Sequence, residues 1–183
     1  MKKLATILFF AAYLFPFATP IFAVENEADA AAQLVVYQAE PADTRVTKLR
    51  TYLESNDSPI ADQAQAFISE ADRNKLDWKL VAAIAGAEST FGKQIPQDSF
   101  NAWGWGIPTG SQSGIGFNNW EHGIATVSEG LAKNYYGRGA KTIYDVGWIY
   151  AANGISWGNH VSYFMDQIET FVPASPKLLP ISI

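Results

Sequence analysis

The sequence predicts a mainly α-helical domain that carries a short β-hairpin or loop region rich in Gly and Trp. Two observations support this fold class. Apolar residues recur at helical spacing in six segments between Thr44 and Phe171. Residues 91–119 interrupt them, because their content of Gly, Pro, Ser and Asn is too high for a long helix.

The start of the chain has the features of an export signal. Residues 1–23 combine a basic start, an apolar run and a small residue, Ala23, for cleavage. The alternative is an uncleaved membrane anchor, since residues 4–24 are nearly long enough to span a bilayer. Pro16 and Pro20 make a continuous helix awkward there. Both alternatives predict that the rest of the chain is secreted, periplasmic or attached to the cell envelope.

Three further segments follow the signal. Residues 24–42 are rich in Ala, Glu and Asp and predict a weakly ordered linker. Residues 43–172 are long enough for one domain with its own core. Residues 173–183 predict a flexible tail.

The first half of the domain predicts three helices. Residues 44–55 carry apolar side chains at helical spacing, and Ser58-Pro59 marks the start of a second helix that ends at Asn74. Asp77 can cap a third helix from Trp78 to about Glu88. Its run Leu-Val-Ala-Ala-Ile-Ala-Gly-Ala is apolar on every face, which indicates a helix buried on nearly all sides.

The second half predicts three more helices. Residues 120–135 have an apolar face and follow Asn118 or Asn119 as a cap. Residues 142–150 and 157–171 continue the helical pattern. The Trp-Gly-Trp-Gly and Gly-Ile-Gly-Phe runs before them are the predicted hairpin or loop.

Composition excludes several classes of function. The chain has no Cys, so a cysteine nucleophile, a disulfide framework and a thiolate metal site are excluded. His122 and His160 are too far apart for a common zinc motif, so we expect no metal and no cofactor. Cleavage of the signal leaves 11 basic against 18 acidic side chains, which argues against a nucleic-acid partner.

Glu88 is the candidate catalytic residue. It ends the all-apolar helix, where partial desolvation raises the pKa of a carboxyl, as a general acid requires. Aromatic residues are concentrated after it, and sugar rings stack on such side chains through their C–H faces. Trp103 and Trp105 are flanked by glycines that contribute nothing to a core, so they are candidates for binding. Four other aromatic residues are expected in the core: Trp120, Trp148, Phe164 and Phe171.

Three motifs in order resemble the lysozyme-like superfamily. Residues 80–92 resemble its buried helix with a catalytic Glu-Ser pair, here Glu88-Ser89. Residues 99–107 resemble the second motif of two branches, the glucosaminidases and the soluble lytic transglycosylases. Residues 149–154 lie where the transglycosylases have a Tyr-Asn motif. Ile107 replaces the transglycosylase Gln and Ala151 replaces its Asn, which favours the glucosaminidase branch.

The resemblance implies a lysozyme-like fold and a glycosidase acting on peptidoglycan. Glu88 would protonate the glycosidic oxygen, and Tyr150 would orient or stabilise the N-acetyl group. The substrate-binding residues implied by the motifs and the polar and aromatic side chains around them are Ser89, Ser99, Asn101, Trp103, Trp105 and Asn153.

A conventional glycosidase needs a second carboxylate. Asp98 and Glu121 are the candidates, although a turn residue and a helix-dipole partner are the simpler interpretations of the two. Without them, one carboxyl acts first as acid and then as base, and a group of the substrate serves as nucleophile.

Other functions remain open at this point. A lytic transglycosylase would give anhydro products, and a non-catalytic module would only bind the cell wall. Chitin-like glycans and N-glycans share the N-acetylglucosamine unit with peptidoglycan. The run Gly154-Ile-Ser-Trp-Gly158 matches a nucleophile elbow, but no parallel-sheet pattern surrounds it. We expect a monomer.

Overall fold

The computed structural model describes residues 43–106, 114–151 and 153–173. The predicted signal peptide and linker lie outside these residues, as does the tail after Pro173. Among the described helices none is long and apolar enough to cross a membrane.

The described part of the chain is mainly α-helical, as predicted, and contains no strand. It comprises six α-helices and two short 3-10 helices at Ala61–Gln63 and Tyr136–Arg138. The α-helices are α1 (Thr44–Ser55), α2 (Ala64–Asn74), α3 (Leu80–Ser89), α4 (Trp120–Asn134), α5 (Ile143–Tyr150) and α6 (Gly154–Thr170).

The helix α1 has the predicted bounds, while the second helix begins later than predicted. Asp43 caps α1 by accepting a hydrogen bond from the Arg45 amide at 2.9 Å. Ser58 caps a turn before the 3-10 helix, because its hydroxyl accepts from the Ile60 amide and also donates to the Phe91 carbonyl. This second bond ties the turn to the segment that follows α3.

The helix α3 forms the centre of the core, as its uniformly apolar sequence predicts. Residues Leu80 to Gly86 are all buried, and α3 packs against α6 as well as α2 and α4. The helix ends because Thr90 has φ +53° and Phe91 has φ +58°, values that break the helical hydrogen-bond ladder. Glu88 therefore lies in the last turn of a helix that the core holds rigidly.

The later helices have clear caps. Asn119 caps α4 by accepting from the His122 amide at 2.8 Å, which selects between the two predicted caps. Thr142 and Asp145 form a capping box at α5. The helix α6 begins three residues before the predicted Trp157, because the Asn153 side chain accepts from the Ser156 amide and caps it there. The helices α5 and α6 pack closely against each other.

Residues 90–106 and 114–119 form turns and loop. One backbone hydrogen bond, from the Phe117 amide to the Ser99 carbonyl at 2.8 Å, joins the two parts. Residues 107–113 lie outside the described residues, so the β-hairpin stays a prediction.

Candidate active site

Glu88 is held by a tryptophan from a distant part of the chain. The indole N–H of Trp157, in α6, donates to Oε1 of Glu88 at 2.5 Å. The contact exists because α6 packs along α3 and brings its buried face to the end of that helix. Trp157 itself is 7% exposed, so the bond is protected from water on its donor side.

The Glu88 carboxyl is partly exposed to solvent and partly enclosed by neighbouring protein. The residue is exposed at the surface. Burial by the neighbouring protein nevertheless raises the pKa of Glu88 above its ordinary value, and the hydrogen bond from Trp157 opposes part of that rise. The Glu88 carboxyl therefore meets solvent on one side and protein on the others.

The loop after α3 lies directly against the other oxygen of Glu88. Gly104 has φ +62°, and a Cβ added there would lie 3.4 Å from Oε2 of Glu88. A glycine at this position allows both the left-handed backbone and the close approach. The Trp-Gly-Trp-Gly run and the candidate acid therefore lie next to each other.

Two buried polar side chains hold this loop in place. The Ser89 hydroxyl donates to the Ala102 carbonyl at 2.7 Å and accepts from the Gly92 amide at 2.8 Å. The Asn101 amide group donates to the carbonyls of Trp105 and Ile115, both at 2.8 Å. Its oxygen accepts from the amides of Trp103 and Trp105 at 3.3 and 3.0 Å. All these hydrogen bonds are internal to the protein.

Trp103 and Trp105 have opposite environments. Trp103 is fully buried, and its indole donates to the Val81 carbonyl of α3 at 2.9 Å. Trp105 is half-buried and lies over Gly130 of α4, where an added Cβ would clash with its ring. Only Trp105 presents its ring to the site.

An open cleft of about 290 Å³ lies beside Glu88. It is lined by Gly104, Trp105, Gly106, Tyr135 and Tyr150. The ring centroid of Trp105 lies 6.1 Å from that of Tyr135 and 5.9 Å from that of Tyr150. Three aromatic rings thus line a cleft that adjoins the candidate acid through Gly104.

Tyr150 connects the loop to α6. Its hydroxyl donates to the Trp103 carbonyl at 2.6 Å, and its ring stacks on Trp157 with 4.8 Å between centroids. Burial, and secondarily the negative charge of Glu88, raise the pKa of Tyr150 well above its ordinary value. The phenol therefore stays protonated and remains a donor to the loop.

The predicted site residues fall into two groups. Glu88, Trp105 and Tyr150 come together around the cleft. Ser89, Asn101 and Trp103 were predicted to bind substrate, but each is at most 3% exposed and forms internal hydrogen bonds. Because they have almost no surface to offer a ligand, we assign them structural roles.

The remaining predicted residues lie at the edge of this arrangement. Ser99 is half-buried, and its hydroxyl accepts a hydrogen bond from the backbone N–H of Asn101. Asn153 is exposed and caps α6. Asp98 is an exposed turn residue with φ +54°, and Glu121 is exposed in the first turn of α4. Neither carboxylate is among the groups that shift the pKa of Glu88.

Two residues of the site were not predicted from the sequence. Trp157 looked like an ordinary helix residue, and Tyr135 fell on the apolar face of its predicted helix. No local pattern marks either of them, since each reaches the site only through helix packing. Among the described residues no group of three or more His, Asp or Glu side chains is arranged to hold a metal ion.

Comparisons with known proteins do not assign the chain to a family. No family model matches it, and no curated protein is significantly similar in sequence.

Proposed function

We propose that the chain is a cell-wall glycosidase with a lysozyme-like fold, which cleaves β-1,4 bonds beside N-acetylglucosamine in peptidoglycan. One observation carries the proposal: the carboxyl of Glu88, whose pKa burial raises, lies against Gly104 at the edge of an open cleft lined by aromatic rings. The export signal predicted for residues 1–23 fits an envelope substrate. A monomer suffices for this activity.

The cleft has the chemistry that a glycan needs. The rings of Trp105, Tyr135 and Tyr150 line the cleft and give it apolar surface against which the C–H face of a sugar can pack. Glu88 in its protonated form would donate a proton to the glycosidic oxygen as the sugar gains oxocarbenium character. The raised pKa keeps a larger fraction of the carboxyl protonated near neutral pH than an ordinary Glu would have.

A single carboxyl favours a mechanism that uses the substrate itself. The pKa of Glu88 responds to burial and to Trp157, and neither influence is a second carboxylate. Glu88 would then act first as acid and later as base, with the N-acetyl group or a hydroxyl of the substrate as nucleophile. Attack by a substrate hydroxyl gives the anhydro product of a lytic transglycosylase, which is the second candidate activity.

Digestion of purified peptidoglycan tests the proposal. We expect the wild type to release soluble muropeptides and Glu88→Gln to lose at least a hundredfold in rate, since general acid catalysis contributes about 10² to 10⁴. Glu54→Gln, which removes a charge from an exposed residue in α1, is the matched control and should keep full activity. Equal release by the wild type and Glu88→Gln would contradict the proposal.

The masses of the products separate the remaining alternatives. Reducing ends identify a hydrolase and anhydro ends a transglycosylase, and the terminal sugar gives the bond that is cut. Chitin oligosaccharides and N-glycans should be digested in parallel, because they contain the same sugar. If the wild type sediments with peptidoglycan and releases nothing from any of these substrates, the chain is a binding module.

A further inference from the structure

We propose that Trp157 is a positioning residue that holds Oε1 of Glu88 and leaves Oε2 as the oxygen that carries the transferred proton. This inference rests on the proposed role of Glu88 as the general acid. It concerns a residue that does not line the cleft and that acts only through the carboxyl it contacts.

The donor in the contact with Oε1 is the indole N–H of Trp157. An indole N–H can donate a hydrogen bond and cannot accept one. The indole nitrogen of Trp157 lies 2.5 Å from Oε1 of Glu88, so a proton on that oxygen would have to occupy the same space as the indole hydrogen. Trp157 is 7% exposed and packed in the core, which prevents it from turning away. A protonated Glu88 therefore carries its hydrogen on Oε2.

The Oε2 atom of Glu88 lies beside the loop that follows α3. This oxygen faces Gly104, where an added Cβ would lie 3.4 Å away. Gly104 also lines the cleft. Oε2, the oxygen that carries the proton, therefore lies against a residue that lines the cleft, whereas Oε1 is occupied by Trp157.

The Trp157 indole is held in place by a series of contacts that leads back to α3. Its ring stacks on Tyr150, with 4.8 Å between centroids and 26° between planes. The Tyr150 hydroxyl is bound to the Trp103 carbonyl at 2.6 Å, and the Trp103 indole is bound to the Val81 carbonyl at 2.9 Å. Val81 belongs to α3, the helix that carries Glu88. These contacts therefore run from Glu88 through Trp157, Tyr150 and Trp103 to Val81, and the first and last of these residues both belong to α3.

The titratable surroundings of Glu88 are simple. Tyr150 is the group whose pKa the charge of Glu88 affects, and Tyr135 in turn affects Tyr150. Burial raises the pKa of both phenols, so they remain neutral where a carboxyl titrates. A pH-dependent change at the Trp157 indole near neutral or acidic pH would therefore report the ionisation of Glu88.

The first test needs no change to Trp157. In ¹H–¹⁵N spectra of the full chain, we expect the Trp157 indole resonance to shift in one step with pH and this step to disappear in Glu88→Gln. The Trp103 indole is the internal control, because its acceptor is a backbone carbonyl and it should not follow the step. A Trp157 resonance that stays constant in the wild type would overturn the inference.

The second test measures catalysis. Trp157→Phe keeps an aromatic ring for stacking and removes the donor, and we expect kcat to fall about tenfold with KM changed less than about twofold, as for a lost hydrogen bond to a charged group. The basic limb of the pH profile should move to higher pH, because burial then raises the pKa of Glu88 unopposed. An unmoved limb, or a loss confined to KM, would overturn the inference.

Trp120→Phe is the matched control for this variant. Trp120 is half-buried at the start of α4 and packs on Phe100 at 5.2 Å, away from the cleft lining. We expect its kcat and pH profile to match the wild type. A shift of the limb as large as that in Trp157→Phe would show a general effect of losing an indole and overturn the specific role.

The failures of the two proposals can be told apart. If the Trp157 resonance titrates with Glu88 but the protein cleaves no glycan, the glycosidase proposal is overturned. The contact between Trp157 and Glu88 then has no role in catalysis. Cleavage that depends on Glu88, together with a constant Trp157 resonance, would overturn the role of Trp157 alone.

Discussion

The helix α3 and the segment 90–106 that follows it obtain their shapes in different ways. Every residue from Leu80 to Gly86 is buried in regular helix. The following segment forms turns and has positive φ at four residues that are not glycine, namely Thr90, Phe91, Asp98 and Phe100. Such residues rarely adopt this backbone, so surrounding contacts must hold them there.

The contrast shows how the candidate site combines rigidity with an open cleft. Apolar burial fixes α3 and hence the position of Glu88. The loop is fixed by the burial of Phe91, Ala102 and Trp103 and also by hydrogen bonds from two buried polar residues, Ser89 and Asn101. A side-chain deletion in the core of α3 should therefore cost mainly stability, whereas deletion of the Asn101 side chain should cost stability and also change the shape of the loop.

The largest expected effect is on stability, from Leu80→Ala. Leu80 is 2% exposed, so its truncation leaves a cavity in the core. We expect the free energy of unfolding to fall by about 3 kcal/mol, measured by chemical denaturation. Leu80 lies about two helical turns from Glu88, so the Trp157 indole resonance should not move.

Leu80→Met is the control for volume, and we expect a loss below about 1.5 kcal/mol. A large shift of the Trp157 resonance in Leu80→Ala would show that the core of α3 and the site are not independent.

An intermediate effect is expected for Asn101→Ala. The substitution removes four hydrogen bonds and leaves buried backbone groups without partners, so we expect a loss of about 2 kcal/mol. Hydrogen exchange should accelerate at the amides of Trp103 and Trp105, because they lose their acceptor. Asn118→Ala, an exposed amide of the same segment, should change stability by less than about 0.5 kcal/mol. Unchanged exchange at both tryptophans would refute this role of Asn101.

The smallest expected effect is a pH-dependent change in stability that depends on Glu88, which lies where α3 meets the segment 90–106. Burial raises the pKa of Glu88 in the folded state, so folding favours its protonated form. The stability that this gives is fully present below the unfolded pKa and is lost as pH rises through the folded pKa. Glu88→Gln cannot ionise, so its stability relative to the wild type should increase from acidic to neutral pH. Thermal unfolding across this range measures the difference, and a decrease would contradict the raised pKa.

Much of the fold could be predicted from local patterns. The bounds of α1 agree with the prediction, and α3 was recognised as buried because its sequence is apolar on all faces. The start of α6 was missed by three residues, since the cap at Asn153 precedes the first strongly periodic position. Helix periodicity is repeated over several turns, whereas a cap depends on one side chain.

The candidate site was predicted only in part. Glu88 stood out because it ends an apolar helix, and Trp105 because glycines surround it. The same reasoning selected Trp103, which is fully buried. The glycines beside these residues allow the turns of the loop, and they do not determine which of two nearby indoles faces the core.

The sequence by itself determined the helical character of the chain, the burial of α3 and the location of an acid at its end. These features follow from the spacing of apolar residues, which acts within one helix. Only the tertiary structure decided that Trp157 contacts Glu88 and that the Trp105, Tyr135 and Tyr150 rings share a cleft. Such contacts join residues up to 69 positions apart, and they depend on how whole helices pack.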